Sequence, residues 1–412
     1  MEIRPILSTL LRSRTGPLLV ALQVAISLAI LANALFVVQQ RIAVSQRPSG
    51  VVNERDVGYV FVRPLAQMSH VETLAQQQRE REALKAVPGV LSVGWTSQMP
   101  MSRSGSSSSI RLSPEQARES ATPAFYSVQP GFAATLGLRF VEGRDLNEAD
   151  LLEYDPRTAG PDDGTPGVVV ITLPLAKFLF PDATTYVGRN LWQGSEGRMK
   201  PMRIVGVVEN LMSQGAGSLT GPYSVILPFR ASLSFSRWAV RAEPGKLEQV
   251  LKDAEEAIRK AAPAPVRTFK RSVAEDRESR YRNERAMAWM LVSISALLLL
   301  VTLSGIVGMT MLRVAQRRKQ IGVRRALGAR WRDILRYFMV ENFIITTGGI
   351  VAGLMLAVGL NRLLMAYTGM PRLPIEYMAY GAAALWVLGI AAVYGPASKA
   401  ASISPAIATR TA

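Results

Sequence analysis

The chain has 412 residues, 49% of them hydrophobic and 19% charged, with a formal net charge of +17 and no cysteine. Disulfide staples, thiolate metal sites and cysteine nucleophiles are therefore excluded. The charge is unevenly spread: Gln40–Arg285 holds 32 bases and 27 acids, the remainder 16 and 4. A surplus that flanks apolar blocks reports membrane topology and speaks against a nucleic-acid partner.

Residues 1–16 carry Arg4, Arg12 and Arg14 ahead of Pro17–Val38, 22 residues without a charge. That length crosses the ~30 Å of hydrocarbon as a helix. Ala43-Val44-Ser45 weakly suits signal cleavage, but 22 apolar residues exceed the roughly 7–15 of a signal core. A retained first span is expected over 17–38.

The segment 39–285 reads as a large folded domain. Val57–Arg63 alternates like a strand, Val71–Val87 is a polar helix ending at Pro88-Gly89, and Val90–Ser97 is a second strand. Trp238–Ala242, Lys246–Ala262 and Val266–Phe269 repeat that strand–helix–strand order. Between them, Val168–Thr172, Met202–Val208 and Tyr223–Leu227 predict a strand-rich insert with turns at Gly131, Gly143 and Gly188. The expectation is a split β-α-β subdomain (45–100 and 235–275, the membrane-proximal half) carrying an inserted subdomain over 110–232. Met101–Ser109 is low-complexity and predicts a mobile loop. The single histidine, His70, is expected on a solvated helix face. No G-x-S-x-G, H-E-x-x-H or carboxylate pair with suggestive spacing occurs, so neither catalytic nor metal residues are predicted.

Three further spans follow: 286–312, 338–360 with Glu341 near its start, and 377–396. Residues 313–337 form a basic loop, nine bases against Asp333 between Arg313 and Arg336, whereas 361–376 is a short loop with two bases. The positive-inside rule puts both termini, including the 397–412 tail with Lys399 and Arg410, and the 313–337 loop in the cytoplasm; the large domain lies outside. Ala21, Ala25 and Ala29 in the first span, and Gly349, Gly353 and Ala357 in the third, recur at helix-packing spacing. That pattern leaves open whether the partner helix is in this chain or another. Glu341 is costly near hydrocarbon unless it snorkels or pairs, and a structural role beside Arg336 or Arg332 is expected over proton relay.

Within 313–337, Trp331, Ile334, Leu335 and Phe338 define one apolar face. Ahead of it, Val323, Ala326 and Leu327 share a face away from Arg324 and Arg325, and Gly328 is placed to end a first helix in a left-handed cap. A basic amphipathic helix can lie on anionic lipid or dock on a partner. The run IG-x-RRALGA (Ile321–Ala329), then Asp333-Ile334-Leu335, Glu341 and Gly349-x-x-x-Gly353, resembles the coupling region of MacB/FtsX-like ABC transporter permeases. Tyr126-Ser127-Val128, Gly131-Phe132, Leu136-Gly137-Leu138, Glu142-Gly143-Arg144-Asp145, Val187-Gly188 and Ile204–Val208 resemble the periplasmic core of that family. Gly395-Pro396-Ala397, Ala400-Ala401 and Ser404-Pro405-Ala406 resemble its closing helix.

The resemblance implies an α+β membrane protein with four transmembrane helices and a large extracytoplasmic α/β domain between helices 1 and 2. It implies a bacterial inner-membrane permease subunit that passes ATPase-driven motion outward, for efflux of a drug, peptide or lipid-like substrate. Ile321, Gly322, Arg324, Arg325, Ala326, Leu327, Gly328 and Ala329 would form the ATPase-coupling helix. No G-x-x-x-x-G-K-[ST] occurs in the chain, so ATP and Mg are expected on a separate ATPase subunit. A second permease subunit, identical or not, and a periplasmic adaptor are the other implied partners. The alternatives within the family are an FtsX-like regulator of a cell-wall hydrolase and a lipoprotein-releasing permease.

Overall fold

The computed structural model describes residues 15–402 except 103, 159, 161–163, 195–197, 216–219 and 369–370. The expectations placed on Arg4, Arg12, Arg14, Ser404-Pro405-Ala406 and Arg410 lie outside the described residues. In chain order, α1 (Thr15–Ser45) precedes β1 (Val57–Pro64), α2 (His70–Lys85), β2 (Val90–Trp95), β3 (Ala124–Val128), α3 (Phe132–Leu136), β4 (Phe140–Gly143) and β5 (Leu152–Tyr154). Then come β6 (Val168–Thr172), α4 (Leu173–Leu179), β7 (Asn190–Gln193), β8 (Lys200–Val208), β9 (Ser224–Ala231), β10 (Ser236–Ala242), α5 (Leu247–Ala261) and β11 (Val266–Ser272). Four helices finish the chain: α6 (Val273–Gln316), α7 (Arg318–Ala326), α8 (Trp331–Thr368) and α9 (Ile375–Ala401). Two compact units result, Val44–Asn283 and the combination of Met1–Ala43 with Glu284–Ala412.

In the α/β unit, one sheet has the order β11-β1-β10-β2 with every neighbouring pair antiparallel. β1 and β2 are not adjacent; each helix crosses over a one-strand gap that a strand of the other half fills. This is the split β-α-β arrangement. Alternation sends Val60, Val62, Trp238 and Val240 into the same core as Val250, Leu251, Ala254 and Ile258 of α5. Helix α2 starts with a capping box, Ser69 accepting from the Glu72 amide and Glu72 reaching back. Although polar, it buries Gln76, Gln77 and Glu80. Glu80 accepts from Trp238 Nε1 (2.8 Å) and Gln76 Nε2 (2.7 Å), and burial pushes its carboxyl above the ordinary range.

The insert forms a seven-stranded mixed sheet, β3-β9-β6-β8-β4, with β5 on β9 and β7 on β8. Two sequence expectations change here. Within the serine-rich segment, the Ser106 amide donates to Gln98 Oε1 (2.7 Å), the Phe125 amide to the Ser106 carbonyl (3.0 Å) and the Ser108 amide to the Pro123 carbonyl (3.2 Å). Its described residues are thus strapped along β3. His70 is not simply solvated: its ring nitrogens lie 2.8 Å from Ser232 Oγ and 3.0 Å from Glu153 Oε1.

In the helical unit, α1, α6, α8 and α9 are each long and apolar enough to cross a membrane. The apolar window of α1 is 56% buried and that of α6 only 17%, so α1 is the helix the others pack around. The two small-residue stripes meet each other. A methyl group on Gly349 would stand 2.7 Å from the Ala21 carbonyl oxygen, and one on Gly353 2.9 Å from that of Ala25. Ala29 and Ala357 share a cluster one turn on. Small side chains let these backbones touch. Polar bridges tie the helices further: Ser27 to Thr302 (2.7 Å), Asn33 to the Ala357 carbonyl (3.1 Å) and Asn342 to the Gly389 carbonyl (3.1 Å).

Candidate functional site

The basic stretch folds as a short helix, a break and a long helix, all within the helical unit. α7 ends where its C-terminal carbonyls are capped twice: the Ala329 amide donates to Arg324 O (3.0 Å) and the Gly328 amide to Arg325 O (3.1 Å). These two bonds make a Schellman motif, which needs a left-handed residue at Gly328, where φ is +98°. Two residues on, the Arg330 amide donates to Asp333 Oδ2 (2.9 Å), starting α8 with a carboxylate at its positive end.

Burial sorts the predicted coupling residues into two sets. Ile321 and Gly322 face inward, Ile321 sharing a core with Ile334 and Phe338. Arg324, Ala326, Leu327 and Gly328 are exposed, and Leu327 is 83% accessible; Arg325 and Ala329 are half-buried. Val323, Ala326 and Leu327 thus form an apolar strip that is exposed among the described residues. Arg330, Arg332 and Arg336 are exposed on the other side of the break.

What holds the elbow is a buried ion cluster. Glu341, 2% exposed, accepts from Arg313 (3.2 Å) at the end of α6 and lies 3.5 Å from Arg317. Arg317 also donates to the Tyr337 hydroxyl (2.7 Å), and Arg317 and Arg324 both lie over the Tyr337 ring. The expected partners Arg336 and Arg332 are wrong for a geometric reason. Five and nine residues back on the same helix, they sit roughly 140° and 180° around it from Glu341. The missed signal was paired spacing. Arg313 and Arg317 are four apart on one strand of the elbow, Tyr337 and Glu341 four apart on the other, so each pair presents one face.

Among the described residues no group of histidines and carboxylates is arranged to hold a metal ion. The arrangement is a positively charged corner tied by the ion cluster to two long helices, with an exposed apolar tip.

Residues 21–259 match the MacB-like periplasmic core domain and residues 292–405 the FtsX-like permease C-terminal family. The chain is 27% identical to a pyoverdine export ATP-binding/permease protein, PvdT, of Pseudomonas syringae pv. tomato, over 67% of this chain and 41% of the relative. It is 28% identical to a macrolide export ATP-binding/permease protein, MacB, of Bradyrhizobium diazoefficiens, over 56% and 36%. The uncharacterized ABC transporter permease YknZ of Bacillus subtilis is 24% identical over 69% of this chain and 68% of its own length. Against the two ATP-binding/permease relatives the match spans about two fifths of their length. With the first of the two domain matches alone covering more than half the chain, it belongs to the family of MacB/FtsX-like ABC transporter permeases.

Proposed function

We propose that this chain is the force-transmitting permease subunit of an exporter, with the α7–α8 elbow as the point where a nucleotide-binding ATPase docks. The observation that carries the reading is the uncovered strip Val323–Ala326–Leu327, held stiff by the Glu341 cluster and the Schellman turn. A lipid-lying helix would need no such bolt. ATP binding on the partner pulls this corner, and the ion cluster passes the displacement to α6 and α8 together. Nine bases against one acid between Arg313 and Arg336 support a cytoplasmic elbow in the bacterial inner membrane. The α/β domain then lies on the opposite, periplasmic side. The working unit is a permease pair with two ATPase subunits and, where efflux continues outward, a periplasmic adaptor. The names of the relatives support an organic export substrate.

The test is Leu327→Asp in the full chain, expressed with its ATPase. A charge at the apolar tip is expected to abolish co-purification of ATPase activity while leaving the melting temperature of the chain unchanged. Undiminished co-purification and transport would rule out the elbow as the docking point.

A further inference from the structure

The face of the four-stranded sheet opposite α2 and α5 carries a pattern that the bundle and its elbow do not use. In register across β1 and β11, Arg63 stands opposite Arg267, Phe61 opposite Phe269 and Tyr59 opposite Arg271. Residues two apart on a strand share a face, so a basic rung, an aromatic rung and a mixed rung follow one another over roughly 14 Å. They line an open cleft of about 500 Å³, within the size range of small-molecule sites.

Three observations point to an anion there. The first is Arg237 from β10, 5% exposed, stacked on the rings of Tyr59, Phe61 and Phe235 at 5.4–5.7 Å. It donates to the Ser97 carbonyl, but its Nε has no partner. Asp276 acts on this guanidinium but is shared with Arg271, so Arg63, Arg237, Arg267 and Arg271 outnumber the one nearby carboxylate and leave positive potential in the cleft. The second is the pair Arg63 and Arg267, which face each other although like charges directly opposite are unfavourable; neither makes an ion pair among the described residues. The third is the acid count. Asp276 is already held by Arg271 at 3.1 Å, and no described carboxylate lines the cleft. The aromatic rung adds apolar contact, with Phe269 49% exposed.

We propose that this cleft binds an organic anion, its flat apolar body lying on Phe61 and Phe269 and its anionic group held by Arg63 and Arg267 over Arg237. The assignment rests on the cleft alone and holds whether or not the elbow engages an ATPase.

The probe is 2-naphthalenesulfonate, with uncharged 2-naphthalenemethanol as its partner, titrated calorimetrically into the full chain in a non-ionic detergent against a detergent blank. The sulfonate is expected to bind at least about tenfold more tightly than the alcohol, and less tightly as salt rises. Arg63→Gln with Arg267→Gln, both exposed, should cost about tenfold or more for the sulfonate alone. Phe269→Ala should weaken both compounds. Equal binding of the two compounds, no heat at probe concentrations on the order of 1 mM, or an unchanged sulfonate affinity in the double arginine variant would each overturn the proposal. So would a shift of the double variant to a smaller assembly, which would make the face a contact between copies of the chain.

Discussion

Where the α/β domain fills its interior with Trp95, Trp238, Tyr126 and Phe132, the bundle brings α1 against α8 over Ala21, Ala25, Gly349 and Gly353. The domain gains from removing large apolar surfaces from water. Helices among lipid tails gain nothing that way and associate through close backbone packing and hydrogen bonds. Buried polar groups follow the same division. In the domain Glu80 is tucked under Trp238; in the bundle Glu341, Ser27, Asn33 and Asn342 all bridge one helix to another. Polar chemistry in the bundle therefore sets helix register, and in the domain, as at Glu80 and Arg237, it accommodates buried polar groups among aromatic rings.

The largest break in that contrast is expected at Glu341. Glu341→Ala leaves the half-buried Arg313 and Arg317 without their anion and should cost up to about 3–5 kcal/mol, read as lost thermal stability of the full chain in detergent. Replacing all three residues by leucine should recover much of that stability, because an apolar cluster has no desolvation cost. Stability recovered without ATPase coupling would assign the ions to register and force transfer; failure to recover would make them a plain stabilising element.

Gly353→Leu should cost about 1–3 kcal/mol or more, since its Cβ already meets the Ala25 carbonyl and Leu28 at 2.9 Å. Gly348, one residue before the stripe, faces open space, so Gly348→Leu should be close to neutral in the same melt. Equal effects at the two positions would remove the close-packing account of the α1–α8 contact. At Gly328 the space is open too, but φ is +98°. Gly328→Ala should cost about 1–2 kcal/mol from backbone strain alone, appearing as faster hydrogen exchange at Arg324–Ala329 with the rest of the bundle unaffected.

These sites also show how far the sequence could be read. The four spans, the Gly328 turn and the two small-residue stripes were visible because each depends on local composition or on a period within one helix. The meeting of the stripes within one chain was not, since spacing does not name a partner. Composition shows that Glu341 needs a cation, yet nearness in sequence points to Arg332 and Arg336, both of which helical angle forbids. The interior of α2 was hidden for a different reason: Gln76, Gln77 and Glu80 look solvent-facing until β10 supplies Trp238. The arginine–aromatic cleft depends on register between β1 and β11, more than 200 residues apart, which no local pattern carries.

Glu80 gives the finest test of the contrast, because it asks whether the domain holds that group charged. Burial raises its carboxyl above the ordinary range, so the folded chain binds a proton more tightly than the unfolded one. The associated stability is fully present below the unfolded carboxyl's titration and is lost as pH rises through the raised one. Glu80→Gln keeps an acceptor for Trp238 Nε1, and Gln76 can turn its amide to match the new donor. The variant should therefore lack this slope and gain about 0.5–1.5 kcal/mol over the parent at the alkaline end. Melting temperatures of both proteins between about pH 4 and pH 8 decide it. Curves that converge at low pH and separate as pH rises fit a carboxylate paying for burial under Trp238. Parallel curves would mean that its hydrogen bonds offset its desolvation, and that the domain holds this buried charge at no net cost.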